Sequence, residues 1–242
     1  MKEPSGIVIT HLLTGWITLN KSVVIQGGSG TLRLPVYAHH ISHPKGELLF
    51  DSGLPQAFED KNNQRRENRS FRFDGVKNIV TCLEEAHLDP NRIQKVVTSH
   101  FHFDHAGGNS LLKNATVIVQ EKELEATRIP EFVEKSGYNT MDLVPEHNYQ
   151  VINGEFDIFN DGSLVCLPTH GHTAGHQSLQ ILTGKEKMVL ASDACQIKQI
   201  LNDEFLQAPS FDQELQLESL KKLQKLQALG FVIVPGHEPL GN

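Results

Sequence analysis

Between Ser99 and Asn109 the chain reads His100-Phe101-His102-Phe103-Asp104-His105-Ala106-Gly107-Gly108, with three imidazoles and one carboxylate inside residues 100–105. Imidazole is the commonest metal ligand in proteins, and carboxylates join it around divalent cations. The stretch follows residues 95–98, which predict a strand, and side chains two apart at a strand end point the same way. His100 and His102 can therefore grip one cation. Asp104 and His105, past the turn, can reach a second. Gly107-Gly108 lets the backbone turn closely past the site into a helix.

Each divalent ion needs about four ligands, so further donors must come from elsewhere. His172 lies in a second histidine-rich stretch, residues 168–176, which also holds His170 and His176. Asp193 closes the run 189–193, and His237 follows 232–236. An aspartate between two cations can bridge them with its two oxygens. Singly, each of these three reads as readily as a capping Asp or a hydrogen-bonded, partly buried His. With His100, His102, Asp104 and His105 they make seven donors at ordered strand ends, which reads as a dinuclear metal site.

The elements that would position these donors are short apolar, β-branched runs bounded by turn residues. They fall at residues 7–13, 34–41, 47–51, 95–98, 116–120, 149–152, 156–159, 164–168, 178–182, 188–192 and 231–234. Helical spacing of apolar residues predicts a helix over 75–87 and another over 212–229. The second would carry Leu215, Leu220, Leu223, Leu226 and Leu229 on one stripe, with Asp212 as N-cap and Gly230 at the stop. The expected fold class is α/β: a single domain over 1–242 with two mostly antiparallel sheets packed face to face and helices outside. The polar stretch 56–74, with Arg65, Arg66, Arg69 and Arg72, reads as a solvated loop or as a lid over the substrate.

Composition narrows the function classes. The chain has 242 residues with 38% hydrophobic content, enough for a sizeable core. The net charge of −7 argues against nucleic acid or an anionic membrane surface as partner. No run approaches the roughly 18 apolar residues of a membrane span, and the N-terminal stretch fits a secretory signal poorly. Three cysteines, Cys82, Cys166 and Cys195, cannot all pair and form no CxxC. A reducing, cytoplasmic setting is the expectation.

His-x-His-x-Asp-His before Gly-Gly, then Gly171-His-Thr-Ala-Gly-His176, a strand-end Asp and a late Gly-His resemble the metallo-β-lactamase superfamily. Residues 48–53, Leu-Leu-Phe-Asp-Ser-Gly, are similar to that superfamily's strand ending in Asp-Thr-Gly. The resemblance spans about residues 34–238 and implies a four-layer αβ/βα sandwich with metals at one edge between the sheets. It implies His100, His102 and His172 on the first metal, Asp104, His105 and His237 on the second, and Asp193 bridging. The common β-lactamases carry Arg in place of His105 and Cys in place of Asp193. Residues 99–109 and 171–178 instead resemble the N-acyl-homoserine lactonase branch. Lactonases of this branch place a tyrosine three residues after the bridging aspartate, where this chain has Gln196, and usually a proline where it has His170. Asp51, His170, His176 and Gln196 are thus candidates to support the ligands or touch substrate.

The chemistry expected of two divalent ions is ester hydrolysis, with hydroxide supplied near neutral pH from a water they share and Asp104 as general base, then acid. Zn heads the list of ions, with Fe, Mn and Co also suited to mixed imidazole and carboxylate donors. The first reading is ring opening of an N-acyl-homoserine lactone. Another ester, thioester or phosphoester hydrolase is the alternative, and a metal-binding sensor without turnover is the reading from a different class. The expected partner is a small-molecule ester or lactone, with the oligomeric state open between monomer and homodimer.

Overall fold

The computed structural model of the chain describes residues 6–60, 71–136, 138, 147–203, 208 and 210–240. One sheet is built from β1 (Val8–Asn20), β2 (Thr31–His43), β3 (Gly46–Phe50), β4 (Arg72–Asp74), β5 (Ile93–Val97), β6 (Thr116–Gln120) and β7 (Asn148–Ile152), in the order β4-β1-β2-β3-β5-β6-β7. The other comprises β8 (Phe156–Asp157), β9 (Leu164–Pro168), β10 (Gln177–Leu182), β11 (Lys187–Ser192) and β12 (Val232–Pro235), in the order β12-β11-β10-β9-β8. Alternation explains the packing. Leu179 and Ile181 share one face of β10, Leu164 and Cys166 one face of β9, and both meet Ile41, Leu48, Phe50, Val97 and Ile118 of the first sheet.

Helices cover the outer faces. Helix α1 (Ile79–Glu85) lays Ile79 and Leu83 on Leu12, Ala38, Leu49 and Val96. It is shorter than the predicted 75–87 because the Asn78 side chain caps it, accepting from the Thr81 N–H. Helices α2 (Phe103–Ala106), α3 (Glu121–Ala126) and α4 (Pro130–Ser136) follow, then α5 (Lys198–Asn202) and the long α6 (Gln213–Ala228). Asp212 caps α6 by accepting from the Glu214 and Leu215 N–H groups. Its Leu220 and Leu223 pack in the cluster that holds Val189, Ala191 and Ile233. The predicted leucine stripe is only partly right, since Leu229 is 70% exposed while Gln216 and Ser219 are buried. The N-terminal half of α6 rests on the backbone of a loop, and Ser219 Oγ donates to the His170 carbonyl at 2.7 Å.

The sheets are mostly antiparallel as expected, with a parallel minority that the sequence does not signal. Among the described residues, β3-β5, β5-β6, β6-β7 and β11-β12 are parallel pairs. Parallel neighbours put their C-terminal ends at the same edge, where sites in such sheets gather. Of the arginine-rich stretch, Arg72 lies in β4 and is exposed, whereas Arg65, Arg66 and Arg69 lie outside the described residues.

Strand β2 carries buried His39, whose Nδ1 meets the His11 Nδ1 on β1 at 2.7 Å. Burial, with the nearby His11 and His105 imidazoles, pushes its pKa down to about 3. The unfolded chain takes up this proton near pH 6.5 and the folded protein only near 3. Its contribution to stability is therefore full above pH 6.5 and lost as pH falls towards 3, at about 1.4 kcal/mol per pH unit. Urea midpoints of the apoprotein at pH 7 and pH 5 should diverge less in His39→Asn, where the amide can replace Nδ1. Equal divergence in both proteins contradicts this assignment.

Candidate functional site

Strand ends from both sheets converge on one edge. Asp51 follows β3, His100 and His102 follow β5, and Asp104 and His105 sit in α2. His172 and His176 lie in the β9–β10 loop, Asp193 follows β11 and His237 follows β12. Strand alternation is not what aligns His100 with His102, because β5 ends at Val97. An extended loop does so, with His102 at φ −72°, ψ 151° as it enters α2.

Four donors gather on one side. His100 Nε2 lies 2.9 Å from His102 Nδ1, which lies 3.1 Å from His172 Nε2, which lies 3.2 Å from Asp193 Oδ2. On the other side His105 Nε2 and His237 Nε2 stand 3.3 and 3.1 Å from Asp193 Oδ1. Asp104 Oδ2 is 3.7 Å from both of those rings. The two groups, His100/His102/His172/Asp193 and Asp104/His105/His237, each have donor atoms within 4.8 Å of one another. Asp193 faces one group with each oxygen.

The outer nitrogens define what the inner ones offer. His237 Nδ1 meets the Pro35 carbonyl at 2.9 Å, and a carbonyl can only accept, so Nδ1 carries the proton. His105 Nδ1 donates to Asp51 Oδ2 at 2.8 Å. Ser99 Oγ donates to Asp51 Oδ2 and lies 2.9 Å from His100 Nδ1, so that ring nitrogen is the donor of its pair. In their neutral forms His100, His105 and His237 would turn lone pairs inward, towards neighbouring rings or carboxylate oxygens. Such an array is repulsive alone and fits divalent cations between its members.

Protonation is skewed accordingly. Burial holds the His100 pKa well below its usual value, and the neighbouring imidazoles add to this. Burial likewise takes His172 to about 3. Burial would lower His105 too, but Asp104, Asp193 and Asp51 outweigh it and hold this ring well above the ordinary value. Asp193 is also desolvated, yet His237, His105 and His172 keep it well below the usual carboxylate range.

The supporting candidates fall in distinct places. His176 Nε2 accepts the Asp193 N–H at 3.1 Å and its Nδ1 pairs with Thr169 Oγ1 at 2.9 Å, so the neutral ring braces the backbone of Asp193. Asp51 accepts from Ser99 N–H at 2.7 Å and from Ser192 Oγ at 3.2 Å, as well as from Ser99 Oγ and His105. Both Asp51 (φ 59°) and Ser192 (φ 48°) are left-handed, strain that clusters at functional sites. Gln196 Nε2 donates to Asp193 Oδ2 at 2.9 Å. The His170 ring meets the His176 carbonyl at 3.1 Å and, among the described residues, makes no hydrogen bond to a donor ring. Cys195 is fully buried, its thiol pushed up to about 12 by burial, and reads as a packing residue. Sequence reasoning missed the supporting Ser192 and Glu123, since neither stands in a pattern that a ligand requires. The close approach expected of Gly107-Gly108 is present: a Cβ on Gly108 would collide with the Ser52 carbonyl.

A two-sheet sandwich with histidine and aspartate donors gathered at one edge defines a hydrolase fold of the metallo-β-lactamase kind. The family model of the metallo-beta-lactamase superfamily matches residues 32–237. The chain belongs to that superfamily, as one of its metal-dependent hydrolases. It is 33% identical over 203 residues to the N-acyl homoserine lactonase AiiA of Bacillus thuringiensis subsp. kurstaki, covering 81% of this chain and 77% of that one. The N-acyl homoserine lactonase AttM of Rhizobium johnstonii is 30% identical over 230 residues, covering 88% and 86%. A solved N-acyl homoserine lactone hydrolase, with the product N-hexanoyl-L-homoserine bound at its catalytic metal center, superposes with a TM-score of 0.85 at 29% identity, over 98% of this chain and 94% of that one.

Proposed function

We propose that the chain opens the ring of N-acyl-homoserine lactones at a dinuclear metal centre. His100, His102 and His172 would hold one divalent cation and Asp104, His105 and His237 the other, with Asp193 available to both. Zn fits the donor set first, with Fe, Mn or Co also suited. The observation that carries this reading is Asp193 presenting one oxygen to each donor group. The bound cations supply Lewis acidity towards an ester carbonyl and acidify water. Asp104 takes a proton from the attacking water and returns it to the leaving alkoxide. His176 and Asp51 hold Asp193 and His105 in place, and Gln196 holds the Asp193 carboxylate.

An apolar neighbour of the donors supports the acyl-lactone reading. Phe103, between His102 and Asp104, joins Phe58, Phe71 and Phe73 in an aromatic cluster with ring centroids 4.8–6.4 Å apart. The partly exposed Phe71 and Phe103 offer apolar side chains beside the donors that suit an acyl chain. Ring opening of a lactone panel by metal-loaded and chelator-stripped protein tests the proposal, and turnover no higher than the stripped background overturns it. In the same assay Phe103→Ala should raise KM for a decanoyl lactone about tenfold, the contact of roughly two buried methylenes, and barely change that for a butanoyl lactone. Gln196, spent on Asp193 where lactonases carry a tyrosine, favours a second reading as a thioester or phosphoester hydrolase. Those substrates belong in the panel.

A further inference from the structure

We propose that Glu123 is a positioning residue whose buried carboxylate clamps together the two loops that carry the three histidines of the first group of donors. The proposal rests on the reading of that group as a metal site. Glu123 lies in the first turn of α3, where an acidic residue ordinarily faces water, yet it is 0% exposed. Its Oε1 accepts the Phe101 N–H at 2.9 Å, between His100 and His102. Its Oε2 accepts the Thr173 hydroxyl and the Gly175 N–H, both at 2.8 Å, in the loop between His172 and His176. The two loops belong to different sheets, and His102 and His172 are 70 residues apart in sequence while their ring nitrogens lie 3.1 Å apart. The remaining ties across this seam include the Gln177 N–H to the Ser99 carbonyl at 3.0 Å, which lies outside the donor residues themselves.

The chemistry of the clamp is specific to a carboxylate. Two backbone N–H groups and a hydroxyl converge on one side chain, and only a group with two accepting oxygens satisfies both loops. Gln at this position must turn its NH2 towards one loop or the other, setting donor against donor. Packing alone would be served by an apolar residue, which avoids the desolvation of a buried charge. Gly175 fits the same design, because a Cβ there would collide with the Glu123 backbone nitrogen and push the loop away.

The test compares wild type, Glu123→Gln and Val119→Ala, a truncation of a fully buried residue on the neighbouring strand β6. Chelator-competition titrations with Zn and with Co(II) report affinity and stoichiometry, the Co(II) absorption bands report ligand geometry, and Tm reports stability. Glu123→Gln should lose 10- to 100-fold in affinity for one ion, with altered Co(II) bands, while Val119→Ala loses Tm and keeps both. Should Glu123→Gln fail to fold, Glu123→Asp, which keeps the charge but reaches only one loop, should show the same affinity loss. Unchanged affinity and bands in the folded Glu123 variant overturn the clamp but leave the metal site standing. Affinity falling in step with Tm in Val119→Ala also overturns it. A wild type that takes up no ion overturns both.

Discussion

Asp104→Asn lowers kcat/KM for a responsive lactone by about 10²–10⁴-fold while leaving the fold intact, the range that general acid–base catalysis contributes. The carboxylate is suited to carry a proton because neither imidazole consumes it. Its Oδ2 stands 3.7 Å from the Nε2 atoms of both His105 and His237, beyond direct hydrogen-bonding distance. Asparagine keeps the shape and still offers an oxygen, but it cannot take up and release a proton at neutral pH. Metal content separates the two duties assigned to the residue. Full metal occupancy with lost turnover identifies the proton carrier, whereas loss of one ion together with turnover identifies a ligand. Activity within tenfold of wild type removes Asp104 from the mechanism.

Asp51→Ala is expected to cost about 3–5 kcal/mol of stability, the range for breaking a buried charged partnership. Four hydrogen bonds end on this carboxylate, from the Ser99 N–H and hydroxyl, the His105 ring and the Ser192 hydroxyl. Removing it strands those buried groups without their acceptor. Alanine must also adopt the left-handed backbone at φ 59°, which aspartate tolerates better. At about 2–4 °C per kcal/mol for a chain of this size, Tm should fall by roughly 10 °C. Asp51→Asn should lose less, since asparagine suits that backbone and can still accept from Ser99. Its amide would then face the N–H of His105 and turn that ring's proton inward, so metal affinity should suffer more than stability. A Tm for Asp51→Ala within 2 °C of wild type contradicts this account.

What the sequence discloses and what it conceals follow a physical division. The donors stand out because metal chemistry needs uncommon residue types at fixed local spacing, and His100 through His105 satisfy that within a single turn of chain. The strands stand out because burial on one face imposes a period of two. Strand direction has no comparable local signature: β5, β6 and β7 read like antiparallel strands and pair in parallel. Leu229 continues the α6 stripe in sequence, yet the face of that helix is set by the loop beneath it. Glu123 reads as an ordinary acidic residue at a helix start, and only the arrival of Phe101 and Gly175 from two other loops makes it interior. Gln196 is visible as a departure from the lactonase pattern, but its hydrogen bond to Asp193 is a matter of tertiary geometry.

The edge where β3, β5, β11 and β12 end together also governs when the molecule can first acquire an ion. A nascent chain that has formed only the first sheet possesses His100, His102, Asp104 and His105 but lacks His172, Asp193 and His237. Neither sheet alone offers either group of donors complete. An ion that needs all the donors of either group would be held only once both sheets are in place, and tighter binding to that folded state than to the unfolded chain would stabilise it. Occupancy of the complete donor groups would thereby report that both sheets are in place.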